Sequence, residues 1–325
     1  MLSAYLFDQR QGRRIDAWTD ALHTVGESQV LWLDLLEPSA EEEREVGEAI
    51  GLGDVEAGHL REVGGQPAFG QGQKYLRVTA VAARDAEGDS APATAAVDCL
   101  VGANWVVTAH QIELAVIEEF RERAEGEGEI GILDAPSFLA VLLEWVVTSY
   151  LRAFDQIEAG LEEFDVRVLR GARRDAERHI GVLVEARARV GRLRRSLAPH
   201  REVFAALSNS ELDPVSTQES AQRFGQLAAK VDNALAAARD AKDAVIGSFD
   251  VLIARTGHRT NEIMKVLTLA SILLLPGALI AGLMGMNINL KASVFAHSPL
   301  LWAVIGVIVL IAGATLALAR MRRWI

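Results

Sequence analysis

Asn261–Asn287 reads NEIMKVLTLASILLLPGALIAGLMGMN. From Val266 to Met284 there are nineteen residues without a charge. At about 1.5 Å per residue, a helix of that length just crosses the ~30 Å hydrocarbon layer of a bilayer. The run ends at Gly285-Met286-Asn287, an abrupt polar stop. A second uncharged run, Pro299–Ala319, follows the connecting loop 287–298. Two spans joined by so short a loop form a helical hairpin, because only a helix satisfies its own backbone groups in lipid. Everything before Asn261 is soluble in character and is expected on one side of the membrane.

The charge distribution agrees with that division. The chain has 325 residues and a formal net charge of −11. From Asp250 onward there are seven basic and two acidic side chains, a net of +5; before it stand 26 basic and 42 acidic ones, a net of −16. An acidic body argues against a nucleic-acid partner and would raise the local cation concentration; acidity that serves only solubility is the plainer alternative. Arg255, Arg259 and Lys265 precede the first span, Arg320, Arg322 and Arg323 follow the second, and only Lys291 lies between. Basic residues favour the cytoplasmic side. Both termini are therefore expected in the cytoplasm, in a multi-pass protein of the plasma (inner) membrane. The start, MLSAYLFDQRQGRR, lacks a long apolar core, so no signal peptide is expected. Cys99 is the only cysteine, which excludes an intrachain disulfide.

Upstream, strand and helix signals mix. Val30–Leu36 (VLWLDLL) reads as an apolar strand, and Ser39 with Glu42 forms a capping box for a helix through Ile50. Lys74–Ala83 reads as a strand. Ala95–Val101 and Trp105–Ala109 read as a strand pair around Gly102-Ala103-Asn104. Glu113–Glu125 reads as a helix and Gly65–Gly70 as a loop. After Gly126–Gly131 the helical period dominates, over Ser137–Leu169 and then Asp175–Leu197. The second of these is rich in arginine, which reads as a solvated face. Pro199 and the polar Ser208–Thr217 separate it from the next helix. Ser216 and Glu219 offer a capping box there. Phe224, Leu227, Val231, Ala234, Ala238, Ala241, Val245, Ser248 and Leu252 then recur in steps of three and four. Such a seam needs cover, and a bundle of copies would supply it.

Asn261–Thr268, Leu275-Pro276, Gly282 and Gly285-Met286-Asn287 together resemble the pore helix and Gly-Met-Asn signature of the CorA family of divalent metal-ion transporters. Weaker similarity runs through Trp32–Leu35, Val106–His110 and Phe138–Leu143. The resemblance implies a homopentamer, a funnel with the long helices around a central pore. It implies magnesium, with cobalt and nickel, as the transported ions. It further implies a transporter rather than an enzyme, with no cofactor; the partners are other copies of the chain, lipid and the cation.

The chemistry of the triplet suits that role. Magnesium gives up its water reluctantly. A ring of neutral oxygen acceptors can hold the ion through its bound water, and Asn287 supplies an amide oxygen for it. Gly285 and Met286 offer free carbonyls where the helix ends. Gly and Asn also favour helix C-caps, so the triplet alone reads equally well as a cap. Stepping inward from Asn287 gives one face: Gly282, Ala278, Leu275, Ser271, Leu267 and Met264. This face is expected to line the pore, with Leu275, Leu267 and Met264 as gate candidates that close by dewetting. Pro276 should bend the helix.

Two departures stand against the pattern. The loop Ile288–Ser298 has no carboxylate and one lysine, where relatives of the magnesium type often carry acids. Gln226 occupies the position that holds a sensor aspartate in some relatives, so the regulatory metal site is left unassigned; Asp232, Asp240, Asp243 and Asp250 read as a solvated face. These departures admit a zinc transporter of the same superfamily, in a proton-coupled form, although that branch more often has Ile or Val at the position of Met286. A reading of another class is a membrane-anchored scaffold. The seven histidines show no paired zinc-ligand spacing.

The expected architecture is an α/β cytoplasmic domain over 1–130, a helical cytoplasmic region over 131–215, and a stalk helix over 216–286 that continues into the first transmembrane helix. The external loop 287–298, the second transmembrane helix 299–319 and a basic cytoplasmic tail 320–325 complete it.

Overall fold

The computed structural model describes residues 1–8, 12–26, 29–53, 60, 65–72, 74–84, 93–126, 133–170, 176–209, 217–285, 302, 306–310, 313–314, 317 and 320. The chain divides into two units, Met1–Phe249 and Asp250–Ile325.

The first unit is built on a seven-stranded mixed sheet. Its elements are β1 (Leu2–Phe7), β2 (Gly12–Ile15), α1 (Trp18–Thr24), β3 (Val30–Leu36), α2 (Ala40–Ile50), β4 (Ala68–Gln71), β5 (Leu76–Ala83), β6 (Thr94–Val101), β7 (Trp105–His110), α3 (Ala115–Gly126), α4 (Ala135–Arg170), α5 (Ala176–Leu197) and α6 (His200–Leu207). A final helix, α7 (Gln218–Gly285), begins in it. The strand order is β2-β1-β3-β7-β6-β5-β4. Every pair is antiparallel except β3 with β7.

Both faces of the sheet are covered, which explains why β3 is an unbroken apolar run rather than an alternating one. Leu31, Leu33 and Leu35 pack with Val107, Ala109, Trp18 and Val46 on the α1/α2 side. Trp32 points the other way, 5.5 Å from Phe120 of α3 and 5.9 Å from Phe138 of α4, with Tyr5 at 5.4 Å. The capping box of α2 is present: the Glu42 amide donates to Ser39 Oγ at 3.2 Å, and the Ser39 amide to Glu42 Oε2 at 2.9 Å.

Two buried polar networks join distant segments. Trp32 Nε1–H donates to Thr108 Oγ1 at 3.0 Å, and Thr108 donates to Asp34 Oδ1. His110 Nε2 also meets Asp34 Oδ1, at 3.2 Å, while its Nδ1 meets the Ile112 carbonyl at 2.7 Å. Both ring nitrogens of His110 face oxygen acceptors, an arrangement that favours the protonated ring. Burial alone would lower its pKa; the Asp34 carboxylate outweighs burial and leaves it raised.

His200 is the opposite case. Strand β4 pairs with β5 only as far as Thr79, and among the described residues no strand covers the far part of the β5 edge. Side chains cover it. The Val81 amide donates to His200 Nε2 at 3.0 Å, the Val81 carbonyl accepts from Tyr150 at 2.8 Å, and the Ala83 amide donates to Ser149 Oγ at 2.9 Å. His200 Nε2 must therefore be unprotonated. Burial, the dominant cause, pushes its pKa down to about 4.

Several expectations are corrected. The N-terminal residues, to which no element was assigned, form β1 and β2, and Ala68–Gln71, overlapping the expected loop Gly65–Gly70, forms β4. Helix α6 fills the stretch after Pro199: α5 ends at Leu197, and Pro199 caps the start of a new short helix, its carbonyl accepting from the Val203 amide at 3.3 Å. The expected cap residue Ser216 lies outside the described residues; at the start of α7 Thr217 and Ser220 bond reciprocally. The Ser220 amide donates to Thr217 Oγ1 and the Thr217 amide donates to Ser220 Oγ, at 3.2 and 2.9 Å. The seam of α7 is covered by its own chain, not left for a bundle of copies. Phe224, Val231, Ala234 and Ala241 are fully buried within this unit.

Candidate functional site: the C-terminal helix face

Helix α7 is continuous through Gly285, with Pro276 inside it. Met264, Leu267, Ser271, Leu275, Ala278 and Gly282 all lie in this helix at steps of three and four, and all are exposed. Gly285 is its last residue. Met286, Asn287 and the loop Ile288–Ser298 lie outside the described residues, as does most of Pro299–Ala319, of which 306–310 is helical.

Beyond Lys265 the surroundings of this face are uncharged and mostly apolar. Ile263, Met264, Val266 and Leu267 cover successive sectors of the helix and are 54–68% exposed. Leu274, Leu275 and Leu279 are 62–72% exposed. A helix that is apolar all round is made for lipid or for other helices. Helix α4 is also long and apolar, but 61% of its most apolar window is buried, against none in α7. The first is a core helix and the second a candidate membrane span.

Its hydroxyls are satisfied internally. Thr268 Oγ1 donates to the Met264 carbonyl at 2.7 Å, and Ser271 Oγ to the Leu267 carbonyl at 2.9 Å. Pro276 has no amide hydrogen, so the Ile272 carbonyl one turn earlier lacks its helical donor.

Further back on α7, Gln226 is exposed beside a cavity of about 80 Å³, with Glu144, Arg223 and Lys230 in its lining. Lys230 Nζ is 2.8 Å from Glu144 Oε1. An amide flanked by two cations is a poor cation ligand. Asp232 is engaged by Arg201 Nε at 2.7 Å. Burial chiefly, then Asp155, Asp240 and Glu162, raise the pKa of Glu158. Among the described residues no three acidic, histidine or cysteine side chains are grouped to hold a metal.

The face of α7 opposite the seam is solvated, as expected for Asp240 and Asp243. Asn233, Ala236, Asp240, Asp243 and Gly247 are exposed there. The signal was available in the sequence: stepping back from Met264 through Asn261, Gly257, Ala254 and Asp250 arrives at these residues.

Comparison with known proteins places this arrangement. The cobalt/magnesium transport protein CorA of Thermotoga maritima is 26% identical over 199 residues, which are 60% of this chain and 56% of that protein. The protein of the same name from Methanocaldococcus jannaschii is 23% identical over 308 residues, 91% of this chain and 92% of that one. The complete structure of the CorA magnesium transporter from M. jannaschii matches with a TM-score of 0.74 at 19% identity, over 100% of this chain and 99% of that chain. The cytoplasmic domain of ZntB from Vibrio parahaemolyticus matches with a TM-score of 0.57 at 14% identity, over 79% of this chain and 99% of that chain. The profile of the CorA-like Mg2+ transporter protein family covers residues 27–321, and the chain belongs to that family of divalent-cation transporters.

Proposed function

We propose that copies of this chain assemble around an axis lined by Met264, Leu267, Ser271, Leu275, Ala278 and Gly282, as a homopentamer that conducts hydrated magnesium, with cobalt and nickel as related ions. Gly285-Met286-Asn287 forms the entrance, and Asn287 holds the ion through its bound water. The observation that supports this reading is α7 itself: an apolar helix left uncovered by its own chain leads directly into the triplet, within the matched family region. Asp240, Asp243 and Asp250, reached by the same stepping, add negative potential along that face. Ions enter down the membrane potential, worth about 2.3 kcal/mol per charge per 100 mV. The loop lies outside the cell and both termini lie in the cytoplasm.

The test is Asn287→Ala in cells without their own magnesium uptake. Selective uptake should be abolished, and normal uptake would refute the ring.

Zinc transport is the second reading. It is favoured by the carboxylate-free loop Ile288–Ser298 and by the likeness to the ZntB cytoplasmic domain. Metal-resolved flux in proteoliposomes separates the two: zinc flux that responds to a pH gradient supports it, and magnesium flux indifferent to pH rejects it.

A further inference from the structure

Within Met1–Phe249, helix α7 carries a second stripe at heptad spacing beside its buried seam. Leu235, Arg239, Lys242, Ile246 and Phe249 follow in steps of four and three, so they share one face. Leu235 and Phe249 are half-buried, Arg239 and Lys242 are exposed, and Ile246 is 49% exposed. Among the described residues neither Arg239 nor Lys242 has an ion pair. Three acids border the stripe. Asp232 is held by Arg201. Asp243 stands one turn beyond Arg239, towards the exposed face of Asn233, Ala236, Asp240 and Gly247, and Asp250 stands one turn beyond Ile246. At the levels of Arg239 to Ile246 the stripe is basic and apolar, and the chain itself does not cover it.

The other flank of α7 is occupied by α4. Thr217 Oγ1 donates to Asp134 Oδ2 at 2.6 Å, Lys230 meets Glu144, and Asp240 acts on Glu158. The three pairs are 83, 86 and 82 residues apart in sequence, so the two helices run parallel and nearly in register. At about 100° per residue, Ile246 lies about 160° round α7 from Lys230 and about 120° from Asp240, so the basic stripe points away from α4. The edge of α4 beside Asp240 is acidic. Asp155, Glu158 and Glu162 follow there in steps of three and four; Asp155 and Glu162 are exposed and Glu158 is half-buried. Among the described residues none of the three has a basic partner, and Glu158 meets only further acids, Asp155, Asp240 and Glu162. Lys230 and Arg152, the bases further back along α7 and α4, are taken by Glu144 and Glu119. One offset, 84 residues, puts Arg239 level with Asp155, Lys242 with Glu158 and Ile246 with Glu162.

We propose that the Arg239–Lys242–Ile246 stripe of one copy docks on the Asp155–Glu158–Glu162 edge of the next, a head-to-tail contact repeated round a closed ring. The two flanks stand on either side of the exposed Asn233–Gly247 face, so a ring that turns this face to its axis brings the unlike flanks of neighbours together. Rotation about an axis running along α7 changes no level, so Arg239 meets Asp155 and Lys242 meets Glu158. Unlike charges at matched levels select this partner and this register. The proposal rests on the ring of copies proposed above, and its test reports on that ring separately. Full-length Cys99→Ala protein is the parent. In detergent its mass, by light scattering, should be that of a homopentamer, and a monomer would overturn the ring and the docking with it. Glu162→Cys and Ile246→Cys are then introduced together and oxidised in native membranes. Within one chain these positions lie on opposite flanks, beyond the ~7 Å between Cα atoms that a disulfide tolerates, so the double variant should give a ladder of covalent multimers. Adding Arg239→Glu and Lys242→Glu should lower the ladder yield about tenfold. Adding Asp155→Arg and Glu158→Lys to that chain should restore it, which a merely misfolded chain would not do. A multimeric parent without a ladder would overturn the docking and leave the ring. A ladder indifferent to charge reversal would overturn it as well. Covalent dimers from Ile246→Cys alone would also overturn it, and would assign the stripe to a two-fold contact between copies.

Discussion

Replacing His200 by glutamine should change how this protein responds to acid. In the folded chain His200 Nε2 accepts the Val81 amide and Nδ1–H donates to the Leu197 carbonyl, so a second proton would break the bond that closes the β5 edge. Its pKa is pushed down to about 4, from an ordinary 6.5. The folded state binds that proton less readily than the unfolded chain does. Stability from this group is therefore full above about pH 6.5 and is lost as the pH falls towards 4. Between about pH 7.5 and 4.5 the loss comes to roughly 2.5 kcal/mol, at 1.36 kcal/mol per pKa unit. For a unit of this size that is about 5–10 °C in melting temperature. His110 has the opposite sign: its raised pKa contributes stability at low pH that is lost as the pH rises. The informative quantity is thus the difference between parent and His200→Gln, in which His110 cancels. Glutamine keeps an acceptor for the Val81 amide but does not titrate. Melting in detergent, followed by tryptophan fluorescence across that range, should show a flatter acid limb for the variant by the stated amount. Equal slopes in parent and variant would refute a neutral, edge-closing His200.

Two further outcomes follow from burial. Phe224→Ala, at a fully buried seam position, should cost about 3–5 kcal/mol, while Asp243→Ala on the exposed opposite face should stay within about 0.5 kcal/mol; equal losses would mean the seam is not covered by its own chain. Cys99 is fully buried, and burial first, then Asp98 and Asp34, push its thiol well up, so maleimide should label it only after denaturation.

Much of the first unit was legible from local signals. β3 and α2 were expected at their observed bounds, since an apolar run and a capping box are both encoded within a few residues. β6 and β7 were visible around a short turn. β1, β2 and β4 were not, because short strands take their identity from the neighbours they pair with, and Ala68–Gln71 is exposed along its whole length. α6 was hidden because Pro199 reads as a helix end, whereas it also caps the start of the next helix. For the candidate site, the residues expected to line the pore share one face by helical stepping, and the structure shows that they belong to one uninterrupted helix. The surroundings of Gln226 were not legible, since Glu144 approaches it from 82 positions away.

The seam of α7 marks the boundary between the two kinds of knowledge. Its three-and-four spacing states that one face must be buried, and the nineteen uncharged residues state that another stretch belongs in lipid; periodicity and hydropathy are local properties, so the sequence by itself determined both. Which surface covers the seam was a matter of three dimensions. Helix α4 runs parallel to α7, with Glu144 on Lys230 and Asp134 on Thr217, and the seam is buried within its own unit. The same holds for the two buried histidines. Nothing in their local sequence separates a raised pKa from a lowered one; one ring meets two acceptors and the other meets a backbone donor, and only the packed structure brings those groups into reach.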